Sequence, residues 1–376
     1  MRVVVTGQVG LAKRPFLQRV LDLAQAQSRR MSICNLGEMM YAEAPDVAPG
    51  RILDLPLSRL TSLRRSVFKD ILAACAGEGP GAADSHLLIN THATFRWRHG
   101  LFYAFDYDQM KALDADLYVA MVDNIDRMHY RLTRRGHVDH TLKDLMVWRE
   151  EETLATELLS QIVRGHGHFY VMARGADDSA AEALMRLICH RQFRKAYLSF
   201  PMTHVGGSPE VLAVIEGFRR AMRRHFICFD PGDLEEKYLG DLALQAAEEG
   251  RRTISAGPPG EQAVMETSQL LEIIADIDGQ IYARDFKLID QSDMIISLIP
   301  ALPDGRPGLS SGVERELQHA HEATRDVFVI WLPETVEPSI FITETATRVF
   351  RSCAKAERFF LDNGYVYAPP AGTLFG

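Results

Sequence analysis

The sequence has little cysteine, no paired-cysteine motif, no long apolar run and no excess of positive charge. Its five cysteines (Cys34, Cys75, Cys189, Cys228 and Cys353) lie far apart, with no CxxC spacing and an odd total. That excludes a disulfide framework and a cysteine-built structural zinc site, and fits a reducing, cytoplasmic setting. No stretch approaches the roughly 18 apolar residues of a membrane span. The opening MRVVVTGQVG is too short an apolar run for a secretory signal. Lys and Arg number 42 against 50 Asp and Glu, a net charge of −8, which disfavours polymeric nucleic acid as a partner. Single nucleotides need only a few local cations and remain open. Low-complexity tracts and internal repeats are missing as well. What is there is 47% hydrophobic and 24% charged residues over 376 positions, the balance of a soluble protein with two domains, each burying its own core.

Two series of short β-branched or aromatic runs alternate with helical patterns, as βα units require. In the first, the strand candidates are Arg2 to Val5, Met31 to Asn35, His86 to Asn90, Leu117 to Val122 and His168 to Met172. In the second they are Ala196 to Phe200, His225 to Phe229, Met294 to Ile299 and Val327 to Leu332. The expectation is an α/β chain with two doubly wound parallel-sheet domains, at 1–175 and 195–376, joined by a linker helix at 176–194. The Gly/Pro-rich GRRTISAGPPG, 250–260, reads as a mobile loop or a lid.

After the first strand comes Gly7-Gln8-Val9-Gly10-Leu11-Ala12-Lys13-Arg14-Pro15 and then a helix, the setting of a phosphate-binding P-loop, GxxxxGK[ST]. Ala12 stands where the second Gly belongs, and Arg14 replaces the hydroxyl residue that holds Mg²⁺. Together with NLGEMMYAEA, INTHATF and LDADLYVAMVDNIDRMHYRLTRR, this segment resembles the archaeal type of adenylate kinase over roughly the first 170 residues. In that family the INTHATF strand usually carries Asp where this chain has Asn90. With both metal-organising positions altered, the resemblance implies a degenerate kinase domain. It would bind a nucleotide of the ATP or AMP class through Gly7, Gly10, Lys13 and Arg14, with Arg131, Arg134 and Arg135 from a lid-like region.

In the second half three elements occur in order. Tyr197-Leu198-Ser199-Phe200-Pro201 ends a strand, Asp285 precedes Asp293 by eight residues, and Gly312-Val313-Glu314-Arg315-Glu316-Leu317 opens a helix. This set resembles the nucleoside 2-deoxyribosyltransferase and nucleotide N-glycosidase superfamily, and implies a flavodoxin-type Rossmann domain acting at an N-glycosidic bond. The resemblance gives Glu316 the role of nucleophile, Asp285 that of general acid on the departing base, and Tyr197 that of orienting Glu316. Such carboxylates suit an oxocarbenium-like transition state. Ser199, Ser310, Ser311 and Gly312 are expected to hold the substrate or its phosphate, with Arg306 a further anion contact. Glu314 competes with Glu316 but cannot share its face of the helix.

The expected function is therefore a nucleoside or nucleotide N-glycosidase, or a 2-deoxyribosyltransferase, fused to a nucleotide-binding pseudo-kinase. Its partners would be small-molecule nucleosides or nucleotides and further copies of the chain. The C-terminal chemistry requires no cofactor. Alternatives are an NAD glycohydrolase, since YLSF followed by a Ser-rich turn and Glu also resembles the layout of TIR-type enzymes, a nucleotide-sensing regulator without catalysis, and an adenylate-type nucleotide kinase. The pairs His166/His168, His319/His321 and His137/His140 lack a third ligand at zinc spacing, so no metal site is expected. The run FRRAMRRHF, with Arg219, Arg220, Arg223 and Arg224, reads as a solvated helix face.

Overall fold

A computed structural model of the chain describes residues 1–48, 50–77, 85–97, 100–134, 140–202 and 208–367. In chain order the elements are β1 (Arg2–Thr6), α1 (Lys13–Ala26), β2 (Arg30–Asn35), α2 (Leu36–Glu43), α3 (Leu57–Gly77), β3 (Ser85–Asn90), β4 (Thr94–Trp97), β5 (Gly100–Tyr103), α4 (Tyr107–Leu113), β6 (Leu117–Val122), α5 (Ile125–Arg134), α6 (Leu142–Arg164), β7 (Phe169–Ala173) and α7 (Ser179–Cys189). They continue with β8 (Lys195–Ser199), α8 (Pro209–His225), β9 (Ile227–Phe229), α9 (Lys237–Glu248), β10 (Thr253–Ala256), β11 (Ala263–Glu266), α10 (Thr267–Asp290), β12 (Met294–Ile299), α11 (Ser311–Glu322), β13 (Asp326–Trp331), α12 (Ile340–Thr345), β14 (Arg348–Phe350) and α13 (Cys353–Asp362).

The chain divides into two compact units. Met1–Cys189 and Leu234–Gln280 form the first, and His190–Asp233 and Ile281–Gly376 the second. Each is α/β around a parallel five-stranded sheet, ordered β2-β3-β1-β6-β7 in the first unit and β14-β13-β12-β8-β9 in the second. Two interior strands, LYVAMV in β6 and MIISLI in β12, are continuously apolar runs buried along their whole length. Strands covered on both faces require this pattern.

This division corrects the expected boundaries at two places. The helix read as a linker, α7, packs on α1 and buries Ala180, Leu184, Met185 and Ile188 within the first unit. Residues 234–280, expected in the second half, also belong to the first unit, where ion pairs Arg149–Glu236 and Lys143–Asp276 hold them. Nor is 250–260 a simple loop. Its TISA forms β10, which pairs antiparallel with β11 in a hairpin whose inward residues Ile254, Ala256, Ala263 and Met265 are buried. Gly and Pro at its ends hid a short strand of alternating burial. The strand read as His225 to Phe229 is shorter too, because His225 closes α8.

In the second unit the alternation of side chains sorts the sheet into two chemistries. Ala196, Leu198, Met294, Ile296, Leu298, Phe328 and Ile330 point to one apolar core with α8 and α13. Tyr197, Ser199 and Ser297, one residue out of phase, point to the other face, where α11 lies. Counted within this unit, the strand order is 2-1-3-4-5, so successive connections change direction between β8 and β12. Ligands in open α/β sheets sit at that point, beyond the carboxyl ends of the strands.

Candidate functional site

Glu316, in the second turn of α11, reaches the carboxyl end of β8. Tyr197 Oη donates to Glu316 Oε1 at 3.1 Å, and Ser199 Oγ donates to Glu316 Oε2 at 2.6 Å. Ser297 on β12 donates in turn to Ser199 Oγ at 3.2 Å. A carboxyl held at both oxygens by hydroxyls from a rigid strand has one orientation, as an oriented reacting group needs. Burial raises the Glu316 pKa to about 8, and the nearby Asp285 carboxyl adds to the rise, while the Ser199 and Tyr197 hydrogen bonds oppose it. Burial also pushes the Tyr197 phenol well above its ordinary range, with Asp285 and Glu316 adding to it. Asp285, on α10, is 7% exposed.

The other residues expected here lie differently. Glu314 is exposed, one face of α11 away from Glu316. Ser310 is the N-cap of α11, and its Oγ accepts from the N–H of Val313 at 3.3 Å. Ser311 and Gly312 are exposed at the start of the helix. Arg306 is tied to Asp304 on an exposed turn, at 2.6 Å. Asp293 lies at the opposite, amino end of the sheet, where it binds the N–H and ammonium of Lys195. The segment 203–207, which follows the end of β8, lies outside the described residues. Arg219 and Arg223 are not a solvated face: both pair with Asp230 and Asp233, at 2.7 to 3.2 Å. Arg220 and Arg224 of that run are exposed, Arg224 in a pair with Glu357.

In the first unit the loop 7–12 joins β1 to α1 as a phosphate loop would. Gly7 and Gly10 have φ of 138° and 94°, and a Cβ on them would stand 2.7 Å from the carbonyl of Met121 and 2.8 Å from Leu132. Glycine is required at both. Ala12 adopts the left-handed conformation, φ 54°, at a cost of roughly 1–2 kcal/mol that a glycine would not incur. No side chain caps α1. Lys13 is buried with its ammonium turned back into the loop, donating to the carbonyls of Gly7 (3.0 Å) and Thr91. Burial lowers its pKa to about 7, against the pull of Glu152.

Glu152 is a residue that motif reading missed. It projects from α6, 2% exposed, and takes four hydrogen bonds: from the N–H of Gly7 (3.0 Å), Ala93 (2.8 Å) and Thr94 (2.7 Å), and from Thr94 Oγ1 (2.7 Å). His92 adds a ring nitrogen 2.6 Å from the Gly7 carbonyl. The two positions that the resemblance would assign to organising a metal have other partners. Arg14 pairs with Glu38 in solvent, and Asn90 donates to Asn35 at 2.8 Å. These side chains do not suit Mg²⁺, and no cluster of three or more His, Cys, Asp or Glu able to hold a metal occurs among the described residues. The lid arginines do not converge on the loop as free cations. Arg131 is held by Asp123 (2.6 Å) and Glu261 (3.0 Å), Arg134 lies over the ring of Tyr130, and Arg135 falls outside the described residues. Among the described residues no helix is long and apolar enough to cross a membrane.

No protein-family model matches the chain. Among solved structures, a shikimate kinase from Bacteroides thetaiotaomicron is similar at 12% identity over 50% of this chain and 97% of that one, with a TM-score of 0.33. A phosphoglycerate kinase from Coxiella burnetii is similar at 12% identity over 96% of this chain and 92% of that one, with a TM-score of 0.19. At these scores neither likeness bears on function, and the α/β assignment stands on the two sheets themselves.

Proposed function

We propose that the second unit cleaves the N-glycosidic bond of a nucleoside or nucleotide, with Glu316 as nucleophile. The observation that supports this reading is the Glu316 carboxyl fixed by Tyr197 and Ser199 at the switch point of a 2-1-3-4-5 sheet, the flavodoxin-type order, with Asp285 beside it. In the reaction the C1′–N bond breaks and its electron pair leaves with the base, which takes a proton from Asp285. Glu316 forms an ester at C1′, and water, or a second base in a transfer reaction, then releases the sugar. Incubating the protein with ribo- and deoxyribonucleosides, their monophosphates, NAD, and ATP plus AMP tests this by chromatography. Free base from a nucleoside or nucleotide is the expected product. Nicotinamide alone, ADP alone or no product contradicts it. Tyr197→Phe removes one of the two hydroxyls on Glu316 and is expected to lower kcat about ten- to hundredfold with little change in KM, because binding does not depend on it.

The first unit, whose order β2-β3-β1-β6-β7 is that of a P-loop kinase-like sheet, binds nucleotide phosphate without turning it over in this reading. Gly7, Gly10, Lys13 and the uncapped start of α1 are the support for it. A phosphate beside Lys13 favours its charged form, so binding takes up a proton at neutral pH. Affinity for ATP or AMP is expected to fall as pH rises through about 7, and Lys13→Met to abolish that dependence, both measured by titration calorimetry in buffers of different ionisation enthalpy. Further copies of the chain in the active assembly belong to the same proposal.

A further inference from the structure

Arg284 precedes Asp285 on α10, and its side chain is 9% exposed. Among the described residues none of its three guanidinium nitrogens has a hydrogen-bond partner, and each is closed to solvent, although Nε lies 3.4 Å from Asp285 Oδ1. Its charge also acts on Tyr197, the phenol that donates to Glu316. A guanidinium keeps its proton at any physiological pH, and buried N–H groups without acceptors are costly and rare. Among the described residues no side chain supplies the acceptors, and bulk water does not reach these nitrogens; a ligand would supply them.

We propose that Arg284 receives the departing base, and that the base is a 6-oxopurine. This rests on the glycosidase reading above. A guanidinium presents two parallel N–H groups, and its best-fitting partner on a nucleobase is a pair of adjacent acceptors, the O6 and N7 of guanine or hypoxanthine. Adenine offers N7 beside an amino donor and leaves one N–H unmatched. A phosphate at the same place would meet two carboxyl groups, Asp285 and Glu316, whereas a base edge arrives uncharged. Cleavage then sends the electron pair of the C1′–N bond onto the purine, and a fixed cation at O6 and N7 stabilises the negative charge as it grows, next to the carboxyl that delivers the proton.

The experiment compares guanosine, inosine and adenosine, each with and without a 5′-phosphate, on wild type, Arg284→Met and Arg284→Lys, with circular dichroism as the check on folding. Wild type is expected to favour guanine and hypoxanthine substrates over adenine ones by roughly ten- to hundredfold in kcat/KM. Arg284→Met is expected to lose that preference, with Arg284→Lys between the two. Equal cleavage of adenine and guanine substrates by wild type overturns the proposal without need of a variant. So does an Arg284→Met effect confined to the phosphorylated substrates, which would make Arg284 a phosphate ligand. Should wild type release no base from any of them, the glycosidase reading fails, and calorimetry with free guanine, hypoxanthine and adenine still decides about Arg284. Binding of the 6-oxopurines that Arg284→Met loses upholds it, and no binding, or equal binding of adenine, refutes it.

Discussion

Replacing Glu152 by alanine is expected to destabilise the first unit by on the order of 3–5 kcal/mol, the cost of leaving several buried donors without an acceptor. The four donors come from segments far apart in sequence: Gly7 at the end of β1, and Ala93 and Thr94 after β3. One carboxylate thus ties the loop after β1 to the neighbouring strand, and water has no path to replace it at a site 2% exposed. Lys13 adds to the effect. Its ammonium is buried between the Gly7 and Thr91 carbonyls, and Glu152 supplies the charge that favours its protonated form. Hydrogen exchange read by mass spectrometry localises the change, which matters because a chain of two units need not unfold in one step. Peptides covering β1 and β3 are expected to exchange at least a hundredfold faster in Glu152→Ala, while those covering β8 and β12 keep their wild-type protection. Unaltered protection of β1 would contradict the structural role given to Glu152.

Glu316→Gln is expected to abolish base release, by a factor of about a thousand or more, because an amide neither attacks C1′ nor carries the charge that stabilises an oxocarbenium ion. The same substitution has a second signature that does not depend on turnover. Glu316 has a folded pKa of about 8 against an ordinary 4.5. Between those values the unfolded chain is ionised at this position and the folded one is not, so the wild type loses stability as pH rises from 4.5 to 8 and the loss levels off above 8. The limiting slope for one such group is about 1.4 kcal/mol per pH unit. Gln does not titrate. The variant is therefore expected to match or trail the wild type in acid and to gain on it steadily up to about pH 8, which thermal melts across pH would read. Catalysis has the opposite dependence. A nucleophile must be ionised, so kcat/KM of the wild type is expected to climb as pH approaches 8 from below.

Much of this arrangement was legible in the residues. Runs such as LYVAMV and MIISLI are too apolar for anything but strands buried on both faces, and both lie inside their sheets, flanked by a strand on either side. Glu316 lies more than a hundred positions from Tyr197 and Ser199, yet the period of two along β8 already put both hydroxyls on one face. What escaped was governed by partners that local pattern does not reveal. The return of 234–280 to the first unit depends on long-range ion pairs such as Arg149–Glu236. Ser310 turned inward as a cap because a helix start needs its N–H groups satisfied, a demand that competes with any phosphate. Glu152 stands in a run of three glutamates, and only the helical period distinguishes it. It lies one turn from the buried Trp148 and Thr156, on the inward stripe of α6. Arg284 had no signal beyond its place next to Asp285.

The central claim is that the carboxyl of Glu316 performs chemistry on a glycosidic bond. The most direct test is a pair of chromatograms, wild type and Glu316→Gln, run on the same nucleoside and nucleotide mixture at pH 8 with circular dichroism showing both folded. Free base that accumulates with the wild type and stays at the level of the enzyme-free control with the variant is the predicted result. Equal release by the two proteins, or no release by either, would contradict it.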